Sequence, residues 1–212
     1  MATYREAYGA GADVAVELVT GPAVARAWHE GSALDGMTVG ELAAHLARSV
    51  LQVEWYLDGP LTPDARLVDA ADYYADLSGT TDATSDLNTG VRARSAETAA
   101  AGRDALVRDV TAACDRLRER LRREPADRCL TVRHHGHTLL LDEYLATRCV
   151  ELAVHTEDLA LSVDSALRAP AVTTGVAVDV LVAAARRRHG DVAVLHALVR
   201  RERDVVDALR VV

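Results

Sequence analysis

A chain of 212 residues with half of its side chains apolar can bury one large core, and with no Phe and 4% aromatics that core must be built from Ala, Leu and Val on helices. The formal charge of -8 and pI near 5.5 exclude a broad phosphate-binding face, which depends on positive charge, so nucleic acid is not an expected partner. Cys114, Cys129 and Cys149 are odd in number and lack C-x-x-C spacing, so neither a disulfide framework nor a cysteine zinc site is indicated and a reducing cytoplasm fits best.

The first residues, MATYREAYGAGADVAVELV, show no basic stretch followed by an unbroken apolar one, and no later window approaches about 18 apolar residues, so neither export nor a membrane span is expected. Helical spacing predicts a first helix from Tyr4 to Val19, stopped at Thr20-Gly21-Pro22. Thr38, with Glu41 three residues on, is a capping-box pattern that opens a second helix running to Asp58-Gly59-Pro60. Residues 61–84 are rich in Asp, Thr and Ser, with one short helix expected near ARLVDAADYYADL, and are long enough to form a lid or a lateral loop.

From Ser85 to Glu124 the pattern predicts a single long charged helix, with Val91, Leu106, Val110, Ala113, Leu117 and Leu121 as its apolar stripe and Pro125 as its end. RCLTVRHHGHTLLLDEY reads as a hairpin about a glycine turn, after which Asp142 begins a third long core helix reaching Val163. VTTGVAVDVLVAAARRRHG predicts a further helix closed by Arg186 to Arg188 and Gly190, followed by a short amphipathic helix and a terminal ALRVV with the character of a strand. The expected fold is all-α: a four-helix bundle over residues 1–168 with a small hairpin or crossover, and a helical extension over 169–212 packed on it.

The third core helix carries an unusual polar strip. On an ideal helix a step of four residues turns about 40° and a step of seven about -20°, so Glu151, His155 and Asp158 share one narrow line. Leu145, Leu152 and Leu159 fall about 80–120° away, which makes this strip border the buried face. On the second helix His45 lies at the margin of an arc formed by Val39, Leu42, Leu46, Val50 and Val53. Two imidazoles and a carboxylate leave a coordination position open, as catalytic zinc sites do.

Each residue alone has an ordinary explanation: a helical Glu/His pair on a surface, a hydrogen-bonded core-edge His45, a solvated Asp158, or Arg148 pairing with Glu151. Their combination is what points to a metal. His134, His135 and His137 form a denser histidine cluster, but a glycine-bearing turn gives no rigid ligand spacing, and it reads as a turn with adventitious metal affinity. The chain has no glycine-rich phosphate loop after a strand, no G-x-S-x-G elbow and no cysteine with an evident histidine partner, which sets aside nucleotide, triad and cysteine-nucleophile chemistry.

With these residues in view the chain resembles the DinB-like superfamily and, within it, the mycothiol-dependent maleylpyruvate isomerase-like proteins of actinobacteria. The resemblance runs from Tyr4 to about Arg203 and is carried by MTVGELAAHLARSV, by EYLATRCVELAVHTEDLA and by RRRHGDVAVLHALVRRER. All 24 basic residues being Arg fits the GC-rich genomes of such bacteria. The likeness implies that His45, Glu151 and His155 hold Zn2+ or another divalent metal, with Asp158 in support beside them. It also implies an active-site arginine early in the crossover helix, where Arg92 and Arg94 stand, Arg94 being preferred; Arg92, Arg94 and Asp158 are thus the expected catalytic side chains.

This sequence departs from the resemblance in having Gly36-Met37-Thr38 where the family often has Gly-Trp before the threonine, and in lacking, by this reading, the full C-terminal α/β domain of the isomerase proper. The implied function is a zinc-dependent enzyme that takes a low-molecular-weight thiol, mycothiol, to a small electrophilic substrate, either transferring the thiol or using it for isomerisation. The different class of answer is a non-catalytic bundle that binds metal or a small molecule. A homodimer is the default oligomer.

Overall fold

The computed structural model describes every residue except 1, 2, 78, 83, 134, 135 and 205. Helix α1 (Tyr4–Thr20) is opened by Thr3, whose hydroxyl accepts from the Glu6 amide while the Glu6 carboxylate accepts from the Thr3 amide. Helix α2 (Pro22–Ala27) places proline where a missing N–H costs nothing. Helix α3 (Val39–Leu57) starts on the expected Thr38/Glu41 capping box. Its next amide, that of Gly40, donates to the Trp28 carbonyl at 2.9 Å. A Cβ on Gly40 would lie 2.6 Å from Trp28 Cε2, so the ring seats only against a bare backbone.

The stretch expected as one helix from Ser85 to Glu124 is two, α5 (Asp86–Ala100) and α6 (Arg103–Arg123), following the short α4 (Ala70–Asp76). The interruption is Gly102 at φ 84°, ψ 160°, a conformation that abandons the helical hydrogen-bond ladder and that side chains other than hydrogen rarely tolerate. Helix α6 buries the predicted stripe, Leu106, Val110, Ala113, Leu117 and Leu121. Among the described residues of α5, Ser95 alone is buried, and Val91 is half-buried.

Helix α7 (Leu141–Ser162) packs on α1 and α3, and α6 closes the ring by packing on the same two helices. Leu42, Leu46, Leu117, Leu145 and Leu152 are buried inside this four-helix bundle, each stabilising it by about 1.5–3 kcal/mol through burial. The fold is all-α, as expected. Beside it, β2 (Cys129–Val132) and β3 (His137–Leu140) form the antiparallel hairpin. A two-residue strand, β1 (Arg66–Leu67), pairs parallel to β3 and was not foreseen. His134 and His135 of the histidine cluster lie outside the described residues, whereas His137 begins β3 and points Nε2 at Asp76, 3.5 Å away.

Helix α8 (Ala171–His189) packs on α1, α4 and α7. The approach to α1 is close: the Thr173 hydroxyl donates to the Ala7 carbonyl at 2.7 Å, and a Cβ on Gly11 would meet Thr173 Cγ2 at 2.7 Å. Helix α9 (Asp191–Val199) follows Gly190. Residues 208–212 form a turn and an irregular tail in place of the expected strand, because the Val211 carbonyl is taken by the Thr80 hydroxyl and the Arg188 guanidinium instead of a neighbouring strand. No helix of the described residues is long and apolar enough to cross a membrane.

Candidate metal centre

Two polar stripes face one another where α3 packs on α7. His45, Ser49, Gln52 and Tyr56 follow one another in steps of three and four on α3, as do Tyr144, Arg148, Glu151, His155 and Asp158 on α7, so each set occupies one helix face. All of them line a cavity of about 500 Å3. Within it His45 Nε2 stands 3.0 Å from His155 Nε2, and Glu151 Oε2 lies 3.8 Å from the first nitrogen and 3.6 Å from the second. The three side chains are 14%, 18% and 22% exposed, so a small molecule in the cavity can reach them.

The far side of every group is held. His155 Nδ1–H donates to Asp158 Oδ2 at 2.9 Å. Ser95 donates its hydroxyl proton to the Val91 carbonyl at 2.8 Å, which leaves Oγ to accept from His45 Nδ1–H at 3.3 Å. Tyr74 donates to Glu151 Oε1 at 2.8 Å, sharing its proton with the Thr147 carbonyl at 3.1 Å. Both imidazoles therefore aim Nε2 inward, and Glu151 keeps Oε2 free for the centre.

Charge follows the same layout. Burial, and next the neighbouring His155, push the His45 imidazole down to about 3. Burial opposes charge on His155 too, but the hydrogen bond to Asp158 and the nearby Glu151 carboxylate outweigh it and raise it to about 9. Glu151 likewise overcomes burial: the neighbouring His155 and the charge of Arg148 hold its carboxyl well below the usual range. A cation on His155 thus sits between carboxylates and donates through Nε2 to a neutral His45.

The donor set fits a divalent ion of the zinc class. Tetrahedral zinc with bonds of about 2.0–2.1 Å to nitrogen separates its ligand atoms by roughly 3.3–3.4 Å, and the observed separations of 3.0, 3.6 and 3.8 Å bracket that spacing. One ligand atom from each residue lies within 4.8 Å of the other two.

Arg92 and Arg94 both line the cavity. The Arg92 guanidinium donates to the Thr89 hydroxyl at 3.2 Å. Arg94 stands close enough to Arg48 to act, after burial, as a cause lowering the Arg48 pKa. Arg48 was missed by sequence reasoning, as were Tyr74 and Ser95; Arg48 donates to Thr98 Oγ1 at 3.1 Å and lies over the Trp55 ring. Arg148, a candidate partner for Glu151, places its guanidinium against the Tyr144 ring and donates to Gln52 Oε1 at 3.1 Å, reaching Glu151 by field. The three-and-four spacing of the two stripes is the signal that would have found Gln52, Tyr56 and Tyr144.

A family model described as the mycothiol maleylpyruvate isomerase N-terminal domain matches residues 9–160. No curated protein and no solved structure matches the chain. The matched region begins within α1, ends near the close of α7 and contains His45, Ser95, Glu151, His155 and Asp158. The chain belongs to the mycothiol maleylpyruvate isomerase N-terminal domain family.

Proposed function

We propose that this protein is a metal-dependent enzyme that brings a low-molecular-weight thiol, mycothiol by family, to a small electrophilic substrate. The observation that carries the reading is the convergence of His45 Nε2, His155 Nε2 and Glu151 Oε2 from two helices on one cavity, each fixed from behind by a hydrogen bond. Zinc, held by these three, would supply the acidity that keeps a coordinated thiol as thiolate at neutral pH.

The protein's own groups do the rest. Asp158 holds the Nδ1 proton of His155, so that the proton given up to make room for a metal is the one on Nε2, whose lone pair then faces the ion. Ser95 likewise holds the Nδ1 proton of His45. Arg94 and Arg92, with Arg48 beside them, line the same cavity and present guanidinium donors to an anionic group of the substrate. Addition of the sulfur to an electrophilic carbon followed by its departure after bond rotation is an isomerisation; departure of another group with its electron pair is a thiol transfer.

Metal analysis of purified protein and of His45→Ala and His155→Ala is the test, joined to a thiol-consumption assay with a maleyl-type electrophile. The expected result is close to one zinc per chain in the unaltered protein, loss in both variants, and thiol-dependent turnover that disappears with the metal. Equal metal content in all three proteins would refute the centre. Metal uptake without turnover across a panel of electrophiles would replace the enzyme with a metal-binding bundle.

A further inference from the structure

The family match ends at residue 160, yet part of the cavity wall comes from beyond it: Val212 lines the cavity with Thr80 and Leu77. One residue ties these pieces together. The Arg188 guanidinium, near the end of α8, sends Nη2 to the carbonyls of Tyr74 at 2.5 Å and Leu77 at 2.7 Å. Its Nε reaches the Ala75 carbonyl at 3.3 Å and its Nη1 the Val211 carbonyl at 3.1 Å. Three of these acceptors lie at the end of α4 and its cap, where carbonyls run short of helical partners; that of Tyr74 also accepts from the Leu77 amide at 3.2 Å. The fourth also accepts from the Thr80 hydroxyl at 2.7 Å. Val211 is 2% exposed and Ala208 is fully buried, so the tail is seated and not draped.

We propose that Arg188 is a positioning residue that pins the end of α4 and the tail at residues 208–212 together, and that the wall so formed sets the size of molecule the cavity admits. A single guanidinium spanning four carbonyls couples two segments that are distant in sequence, and a wall built from a short helix end and an irregular tail opens at lower free energy than the bundle beneath it. Part of the selectivity of this site is thereby placed in the chain's own extension, which braces a wall whose other half belongs to the matched region. The inference rests on reading the cavity as the ligand chamber, but its test needs neither bound metal nor turnover, so a failure of the zinc experiments leaves it separately decidable.

The test is size-selective labelling of a cysteine placed at a half-buried position of the cavity wall, Val91→Cys, in full-length protein carrying Cys129→Ser and treated with a chelator. Cys114 and Cys149 are buried, with burial raising their thiols to about 11 and about 12, and stay silent at neutral pH. Rates with methyl methanethiosulfonate and with fluorescein maleimide are each divided by the rate for free cysteine. Arg188→Ala and Thr80→Val are expected to speed the bulky reagent about tenfold while changing the small one by less than about twofold, with Arg188→Lys in between. Thr80→Val releases only the tail, and decides the matter should Arg188→Ala fail to fold. An unchanged ratio in variants with native melting curves overturns the proposal. So does a rise shared by both reagents with Cys114 and Cys149 now labelled, which would make Arg188 merely structural.

Discussion

Replacing Tyr74 by Phe removes one oxygen from a buried ring and tests how the carboxylate of the centre is aimed. The hydroxyl donates to Glu151 Oε1 at 2.8 Å, and Tyr74 is 2% exposed, so no water takes its place readily. A hydrogen bond to a charged group contributes about 1.5–3 kcal/mol. For a protein of this size about 1 kcal/mol moves the melting temperature by about 2–4 °C. Metal-free Tyr74→Phe should therefore melt on the order of 5 °C lower. Freed from its anchor, Glu151 can also rotate Oε1 toward the ion position, and loss of such an outer partner weakens metal binding by about 10–100-fold. Zinc competition against a chromophoric chelator reads the second effect and calorimetry the first. A variant that is destabilised yet binds zinc as tightly as the unaltered protein would refute the claim that Tyr74 orients a metal ligand.

The metal-free protein should be most stable near pH 6–7. His45, lowered to about 3 by burial and by His155, leaves the unfolded chain holding the extra proton below about 6.5, so stability falls as pH drops, and the depressed Glu151 acts in the same sense below about 4.5. His155, raised to about 9 by Asp158 and Glu151 against burial, binds the extra proton in the fold, so its contribution is complete below about 6.5 and is lost toward 9. Urea melts at pH 4.5, 6.5 and 9 in chelator decide this, and a steady rise through all three would contradict it. Separately, Gly40→Ala should destabilise by about 1–3 kcal/mol, because its new methyl group meets the Trp28 ring and backbone carbonyl at once; a melting temperature within a degree of the original would show that the ring moves aside freely.

How much of this could be read from the chain depends on how local each signal is. The Thr38/Glu41 cap, the breaks at residues 21 and 59 and the single-line placement of Glu151, His155 and Asp158 are properties of a few consecutive residues, and they stand where periodicity put them. The break at Gly102 escaped because the alanines before it favour helix strongly and one glycine inside a helical pattern is usually tolerated. Strand β1 is two residues long, too short for any alternation to register. Tyr74 and Ser95 reach their partners across 77 and 50 residues of sequence, and only the approach of α4 and α5 to the bundle reveals them. Arg148 was legible as a charge near Glu151, whereas its seat against Tyr144 and Gln52 needed the packing of α3 on α7.

The two walls of the cavity answer to different constraints. Its imidazoles and carboxylate stand on α3 and α7, whose neighbouring positions are committed to the interior, so a substitution there disturbs the whole bundle. The arginines at 92 and 94 stand on α5, a helix that contributes almost nothing to that interior and is set off from α6 by a glycine. Residues along it can drift with little penalty to folding. A lineage built on this plan can therefore vary the arginine side of the cavity while the His45–Glu151–His155 cluster is inherited intact.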